Sequence, residues 1–391
     1  MEMQKLDITL LCKVVDNYGD IGVVFRLAKR LSFYKKDDLN LRLVIDDLKA
    51  FNLLCPQIKT DKAIQVYNGW TIYDWNKDKE CLKAFTENNP QIIIECFECG
   101  RPEWLEKLLF EIKIPRTTHI IMLDYLTAED YAETFHCLKS LTRSAKVQKV
   151  NFMPGFTPKT GGLLLDEHCQ DAKTIMEKSF NSDASNGFAS KALFFSYPRK
   201  NEQFSSIYNA LNRYCATEGI ADFNIKLAKG AGFAPFISSF NEYKNNCNDL
   251  HISVTPLSFL SQEEWDALLN DTPLLFIRGE ESLSRACLYG VPFVWHAYPQ
   301  SEEYQLIKVQ ALLNRMKIHF SPEDYTVLEK CWLSYNTTET EPKELENNLY
   351  DFLCSYKELQ KGFRDFSIEL IENGDLAFHL LSFINKTCIM E

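Results

Sequence analysis

The sequence predicts an α/β protein made of two doubly wound, Rossmann-like domains, and three observations support this prediction. Short apolar, β-branched runs alternate with helix-like stretches, first before residue 154 and again after residue 190, a pattern typical of βαβ units with a mostly parallel sheet. A length of 391 residues exceeds one ordinary core. Between these two series the sequence becomes rich in Pro and Gly and then in small polar residues, as expected at a domain edge.

The first series predicts six strands and places the N-terminal domain at residues 1–180. The predicted strands are residues 8–15, 41–45, 63–67, 91–95, 119–123 and 150–153, with helices such as 23–31 and 104–110 between several of them. Residues 154–162 are dense in turn formers, and the polar segment 181–187 is typical of an exposed linker.

The second series predicts a domain at residues 188–362, with strands at 192–196, 223–227, 250–254, 274–277 and 292–295. After residue 304 the pattern is mainly helical, and the amphipathic stretch 363–383 is expected to pack back onto the N-terminal domain, which residues 363–391 would then complete. Two such domains facing each other across a cleft describe the GT-B glycosyltransferase architecture. Several epimerases, phosphorylases and binding proteins share it, so the fold alone does not decide the function.

Composition excludes several classes of protein. A net charge of −11 and a pI near 5.3 argue against a nucleic-acid partner, which needs a basic surface. No apolar run approaches the ~18 residues of a membrane span, and no signal-peptide pattern precedes the first strand. Thirteen scattered cysteines favour reduced thiols and a cytoplasmic location. Only Cys96 and Cys99 have metal-like or redox-like spacing, and without a nearby second pair or histidine we expect a structural role.

One candidate turn covers residues 16–22 and follows the first predicted strand. Gly19 and Gly22 permit close approach of a ligand to the backbone. Asp16 and Asp20 lie four residues apart, so both carboxylates can face one pocket, where they would hold a guanidinium or shift each other's pKa. Asp20 is equally compatible with a helix N-cap. The glycine spacing is not the dinucleotide fingerprint, which makes a nicotinamide oxidoreductase the weakest alternative.

The other candidate turn, residues 278–282, follows a strand of the second domain and opens a helix. Arg278 is a natural bidentate partner for a diphosphate, and Ser282 with the neighbouring backbone N–H groups forms a helix-start anion site. One of Glu280 and Glu281 would accept hydrogen bonds from sugar hydroxyls. A simple helix N-terminus with acidic residues in its first turn explains the same pattern.

Other side chains follow strands of the same domain. Phe195, Tyr197 and Phe259 are candidates to stack on a base, with Gln262 bonding to the base edge, although aromatic residues after strands are often core residues. His296 is either a phosphate ligand or a buried structural histidine. No two aspartates are two residues apart, so the Asp-x-Asp metal motif is absent and a metal-independent mechanism is favoured.

Four sequence blocks together resemble one family closely. They are residues 14–22, 154–157 with 159–163, 276–282, and 292–296 with 298–300. The chain resembles the bacterial protein-arginine rhamnosyltransferases that act on translation elongation factor P, the EarP family. The resemblance implies an inverting, metal-independent GT-B enzyme without a cofactor. It would move L-rhamnose from dTDP-β-L-rhamnose to one arginine of elongation factor P.

By motif position the resemblance also implies roles for individual residues. Asp20 would be the general base, with Asp16 beside it, and Glu280 the second essential carboxylate. The substrate-binding residues would be Asn17, Tyr18 and Gly19 in the first turn and Phe195, Tyr197, Phe259, Gln262, Arg278, Gly279, Glu281 and Ser282 in the donor domain. The chain departs from the family pattern at Glu281, where Asp is expected, and at Ser196, where Cys is expected.

Two alternatives remain open from the sequence. One is a GT-B transferase for another acceptor, such as a lipid-linked glycan, which predicts a basic or apolar patch that the first domain does not show. The other is a sugar-nucleotide-binding protein without turnover, which would tolerate the loss of Asp20.

Overall fold

Two sheets organise the chain, one in each of two units. The computed structural model describes residues 5–14, 19–112, 114–166, 169 and 189–389. Unit 1 contains the residues up to Asp166 together with those from Asn373 onward, and unit 2 contains the residues between them, up to Glu372.

The sheet of unit 1 has the strand order β3-β4-β2-β1-β5-β6-β8-β7. Its strands are β1 Leu6–Cys12, β2 Leu39–Ile45, β3 Ile64–Tyr67, β4 Trp70–Asp74, β5 Ile92–Cys96, β6 Thr118–Leu123, β7 Lys139–Ser140 and β8 Val147–Phe152. All neighbours are parallel except the β3–β4 and β7–β8 pairs. The β3–β4 hairpin turns at Asn68 and Gly69, which both have positive φ, as a tight hairpin turn requires. The sequence did not predict β4 and β7, since each is short or polar on one side.

Helices cover both faces of this sheet. They are α1 Gly19–Lys35, α2 Leu48–Leu54, α3 Asp78–Glu87, α4 Glu103–Phe110 and α5 Tyr131–Phe135. Ile8 and Leu10 of β1 pack with α1 and α2, whereas Leu11 packs with α3 and α4 on the opposite face. Burial on both faces explains why these strands appear in the sequence as continuous apolar runs.

The sheet of unit 2 is parallel throughout, with the strand order β11-β10-β9-β12-β13. Its strands are β9 Lys191–Phe194, β10 Phe223–Leu227, β11 Ile252–Pro256, β12 Leu274–Arg278 and β13 Phe293–His296. Chain order reverses between the neighbours β9 and β12. In doubly wound folds, ligands bind at the carboxyl ends of the strands beside such a switch point.

Unit 2 also contains eight helices among the described residues: α6 Asn201–Glu218, α7 Phe233–Asn246, α8 Gln262–Asp271, α9 Glu280–Tyr289, α10 Gln305–Met316, α11 Pro322–Asn336, α12 Pro342–Cys354 and α13 Tyr356–Glu372. Here the structure corrects the expected course of the C-terminus. Residues 363–372 stay with unit 2, because Phe363 of α13 packs on Phe293 and Phe320 with ring centroids 5.2 and 5.4 Å apart. The Ser367 hydroxyl also donates to the Leu288 carbonyl.

The chain returns to unit 1 only at Asn373, and Gly374, with φ +90°, separates the two helices. Asp375 then caps α14 (Leu376–Ile384) by accepting from the Ala377 N–H at 3.0 Å. Its second oxygen accepts from Arg30 Nε and Nη2 at 2.8 and 2.6 Å and from the Tyr34 hydroxyl at 2.9 Å. This buried network joins the returning helix to α1.

Candidate functional site

In unit 2, the carboxyl ends of β9 and β12 bring two predicted segments together. The backbone N–H of Phe195 donates to the Phe276 carbonyl at 2.7 Å, so the segment after β9 runs beside β12. Phe195 and Tyr197 therefore lie next to Arg278, the last residue of β12. The sequence blocks 195–197 and 278–282, far apart in the chain, share one sheet edge.

Arg278 is the central group of this edge. It is buried, and its guanidinium carbon lies 4.6 Å from the ring centroid of Phe195 and 4.5 Å from that of Tyr197. Two aromatic contacts hold a guanidinium in place without neutralising it. Its Nε has no hydrogen-bond partner among the described residues. A buried cation with an unpaired N–H is costly unless a ligand supplies the acceptor, so this position suits an anion.

His296, the last residue of β13, supports Tyr197. The Tyr197 N–H donates to His296 Nδ1 at 3.2 Å, and the two rings meet edge to face. Burial lowers the pKa of His296 well below its usual value, and the positive charges of Arg199 and Arg278 lower it further. His296 is therefore a neutral side chain whose visible contact is structural. Of the two interpretations that the sequence left open, this contact supports the structural histidine.

Gly279 forms the turn between β12 and α9. It has φ +74° and ψ 158°, and a Cβ added there would meet nothing within 4 Å. Glu280 and Glu281 are half-buried in the first turn, and Ser282 is buried. The N-terminus of α9, whose positive dipole end favours an anion, therefore follows Arg278 directly in the chain.

The start of α8 lies beside the same aromatic ring. Trp265 of α8 contacts Phe195 edge to face, with centroids 5.2 Å apart. Gln262, the first residue of α8, is buried, whereas Phe259 just before it is 43% exposed. The predicted base-binding residues are thereby connected to the Phe195–Arg278 contact through Trp265.

Sequence reasoning missed the glycine loop after β10. A Cβ on Gly230 would lie 2.9 Å from Cε2 of Phe195 and 3.4 Å from Nη2 of Arg278, and one on Gly232 would lie 2.5 Å from the Ser196 carbonyl oxygen. Both glycines let this loop pack directly against the site. The Gly-x-Gly pattern immediately after the predicted strand 223–227 was the available signal.

In unit 1, Asp20 lies in the first turn of α1 and is buried. It is near enough to Cys12 and Cys96 for its negative charge to contribute to their raised pKa values. These cysteines end β1 and β5, the neighbours at which chain order reverses in this sheet. Asp20 therefore lies at the switch point of unit 1. Three other predicted residues of this turn lie outside the described residues: Asp16, Asn17 and Tyr18.

Asp46, after β2, is a further carboxylate at this edge that sequence reasoning did not select. Its Oδ1 accepts from the Val14 N–H at 2.8 Å, and burial raises its pKa. Its charge also contributes to the raised pKa of Cys12 and of Cys99. The edge thus combines Asp20 and Asp46.

Both thiols of the Cys96–Cys99 pair have raised pKa values. Burial raises the pKa of Cys99 to about 12 and that of Cys96 well above its usual value, and Cys99 Sγ donates to the Leu11 carbonyl at 3.5 Å. In the part of the chain that the structure describes, no group of three or more His, Cys, Asp or Glu side chains could hold a metal ion. No described helix is long and apolar enough to cross a membrane.

Comparison with known protein families shows which family this chain belongs to. The sequence model of the elongation factor P (EF-P) rhamnosyltransferase family EarP matches residues 8–385. The chain belongs to this family. Membership confirms the resemblance carried by the four sequence blocks, and it makes the chain an enzyme, a glycosyltransferase of the protein-arginine rhamnosyltransferase class.

Sequence similarity to known relatives extends over most of the chain. A protein-arginine rhamnosyltransferase of Shewanella oneidensis is 27% identical over 97% of both chains, and one of Pseudomonas putida is 30% identical over 84% of this chain and 86% of its own. A structure solved for the structural basis of EarP-mediated arginine glycosylation of translation elongation factor EF-P has a TM-score of 0.57 at 20% identity. It covers 97% of this chain and 99% of that chain. This likeness confirms the predicted α/β, GT-B fold class.

Proposed function

We propose that this family member transfers L-rhamnose from dTDP-β-L-rhamnose to an arginine side chain of translation elongation factor P, with inversion at the anomeric carbon. The observation that carries the proposal is the buried Arg278, held between Phe195 and Tyr197 at a switch point, whose Nε has no hydrogen-bond partner within the described part of the chain. Such a group matches the diphosphate of a nucleotide sugar.

On the donor side, Arg278 and the first turn of α9 would bind the diphosphate, since α9 begins two residues after Arg278 and a helix N-terminus favours an anion. The thymine would stack on Phe259, which is 43% exposed. Phe195 is less suited to this role because the Arg278 guanidinium lies over its ring. Gln262 would bond to the base edge, while Glu280 and Glu281 would face the deoxyribose and rhamnose hydroxyls.

On the acceptor side, the difficulty is the chemistry of arginine itself. Its guanidinium stays protonated and its nitrogen lone pairs are delocalised, so it is a poor nucleophile. Buried carboxylates help in two ways, because one anchors the guanidinium while another accepts a proton as the C–N bond forms. We assign proton removal to Asp20 and anchoring to Asp16. Glu280 is the second essential carboxylate by motif position.

We propose that the reaction needs neither metal nor cofactor. The charge of Arg278 and the N-terminus of α9 would balance the diphosphate, and no Asp-x-Asp motif occurs in the sequence. We place the enzyme in the cytoplasm, because all thirteen cysteines are described as free thiols, as a reducing compartment would keep them.

Nucleotide release tests this proposal. Incubating the protein with dTDP-rhamnose and elongation factor P should release dTDP, and omitting the acceptor protein should nearly abolish the release. The reaction should continue in EDTA. Donor binding without acceptor-dependent release would favour the sugar-nucleotide-binding protein. Release with a different acceptor only would favour another transferase, and activity restored by Mg²⁺ after EDTA would contradict the metal-free mechanism.

A further inference from the structure

Unit 1 contains a pocket of about 460 Å³ that the proposed reaction does not use. It opens at the carboxyl ends of β6 and β8, under the short helix α5. Met122 of β6, Met153 after β8, and Tyr131 and Phe135 of α5 contribute apolar surface to its lining. Both aromatic residues are about half exposed, with Tyr131 at 45% and Phe135 at 46%. The lining therefore includes apolar side chains that a ligand can reach.

The charged groups of this pocket are all acidic. Glu98 and Asp124 are the charged residues that line it, and Asp124 Oδ1 also accepts from the Tyr125 N–H at 2.7 Å. Glu98 is exposed and its backbone has φ +51°. Burial raises the pKa of Tyr131, and the negative charges of Asp124 and Glu129 raise it further, which agrees with a negative potential at the rim.

The pocket continues the acidic edge that holds Asp20. Cys96, the last residue of β5, has a pKa raised partly by Asp20, and Glu98 follows it by two residues. Glu98 follows β5, the strand that lies between β1 and β6 in the sheet. A protein segment bound along this sheet edge would therefore run from the strand ends beside Asp20 to those beside the pocket.

We propose that this pocket binds a second basic side chain of the acceptor protein, a lysine or arginine close to the arginine that is modified. Its aliphatic stem would pack on Met122, Met153 and the ring of Tyr131, while its cationic head would pair with Glu98 and Asp124. A mixed apolar and acidic pocket suits such a side chain better than a neutral sugar or a phosphate. This inference rests on the proposed function, because it assumes that the acceptor protein docks on unit 1.

Two charge-reversal variants test the inference, and the quantity compared between them is the KM for the acceptor protein. Glu98→Lys should raise the KM for elongation factor P about tenfold or more, since it opposes the basic side chain. It should leave kcat at saturating acceptor and dTDP affinity close to those of the wild type. Glu87→Lys is the matched control, with the same charge change on an exposed residue of unit 1 outside the pocket, and should leave all three quantities unchanged. Glu98→Gln, the milder variant, should raise the KM by a smaller factor.

A charge reversal on the acceptor protein provides a second test of the pocket. Changing the matching lysine or arginine of elongation factor P to Glu should raise the KM with the wild-type enzyme, and Glu98→Lys should partly restore it. Equal KM values for Glu98→Lys and Glu87→Lys, with both proteins folded, would overturn the pocket assignment while leaving the transferase intact. If the wild-type protein transfers nothing to elongation factor P, the proposed function fails instead.

Discussion

Two buried charged residues, Asp20 and Arg278, carry most of the chemistry in this account, and each lies at the switch point of its own unit. Each lies where a strand end meets the start of a helix at a switch point. Their chemical roles differ with charge, because a carboxylate there can take a proton whereas a guanidinium can hold a diphosphate. Substitution of Asp20 should therefore lower turnover, whereas substitution of Arg278 should lower donor affinity.

For Asp20, the substitution to Asn separates catalysis from helix capping. Asn keeps the shape but cannot accept the proton, so we expect turnover to fall by about 10²–10⁴-fold with donor affinity and melting temperature nearly unchanged. Single-turnover rates, calorimetry with dTDP and thermal unfolding measure the three quantities. Asn caps helices about as well as Asp, so a fully active variant would remove the general-base role.

For Arg278, the substitution to Lys keeps the charge but loses the planar group that the two aromatic rings hold. We expect dTDP affinity to fall about tenfold or more, since a lysine cannot pair with two phosphate oxygens in the same way. Calorimetry gives the affinity. Arg213→Lys is the control, because Arg213 also stacks on an aromatic ring, that of Tyr350, away from the site. Equal affinities for the two variants would contradict the diphosphate role.

The lowered pKa of His296 predicts how the free energy of unfolding changes with pH. Its pKa is lowered in the folded protein, so as the pH falls below about 6.5 the unfolded chain binds the proton first and the folded state loses stability. The free energy of unfolding should decrease toward pH 5, with His296 contributing up to about 1.4 kcal/mol per pH unit. Urea unfolding of His296→Asn should show a shallower decrease. A wild-type slope in His296→Asn would refute the assignment.

At the scale of elements, the loop between β10 and α7 packs against the proposed donor site. Gly230 is in contact range of both Phe195 and Arg278, and no side chain fits between them. The loop therefore fixes the position of two groups that lie on other strands.

Gly230→Ala should disturb the site without disturbing the fold. The added methyl would displace the Phe195 ring or the Arg278 guanidinium, because 2.9 Å is too short for a carbon contact. We expect weaker dTDP affinity and a small change in melting temperature. Ala231→Ser, at the exposed neighbouring position, is the control and should bind dTDP like the wild type. Unchanged affinity in Gly230→Ala would show that the loop does not set the site.

For the whole molecule, the sequence predicted the class of fold and the proximity of Phe195 and Tyr197 to Arg278, because both depend on local patterns. Buried parallel strands are continuous apolar runs, and the polar residues that follow them necessarily meet at one sheet edge. Phe195, Tyr197 and Arg278 were found in this way. The strand β4 was missed because it pairs with the antiparallel edge strand β3 and shows little apolar continuity.

Long-range packing was less accessible from the sequence. The stretch 363–383 has one amphipathic pattern, yet only Gly374 marks where it leaves unit 2 for unit 1. The contact of Gly230 with Phe195 joins residues on different strands, and Asp46 joins the acidic edge only because β2 lies beside β1. No local pattern encodes such neighbours.

The central claim is transfer of rhamnose to an arginine, and the intact mass of elongation factor P tests it most directly. After incubation with this protein and dTDP-rhamnose, the account predicts an increase by one rhamnosyl group, located by fragmentation on a single arginine. An acceptor with that arginine changed to lysine should show no increase. An unchanged mass of the wild-type acceptor, with intact donor and folded enzyme present, would contradict the account.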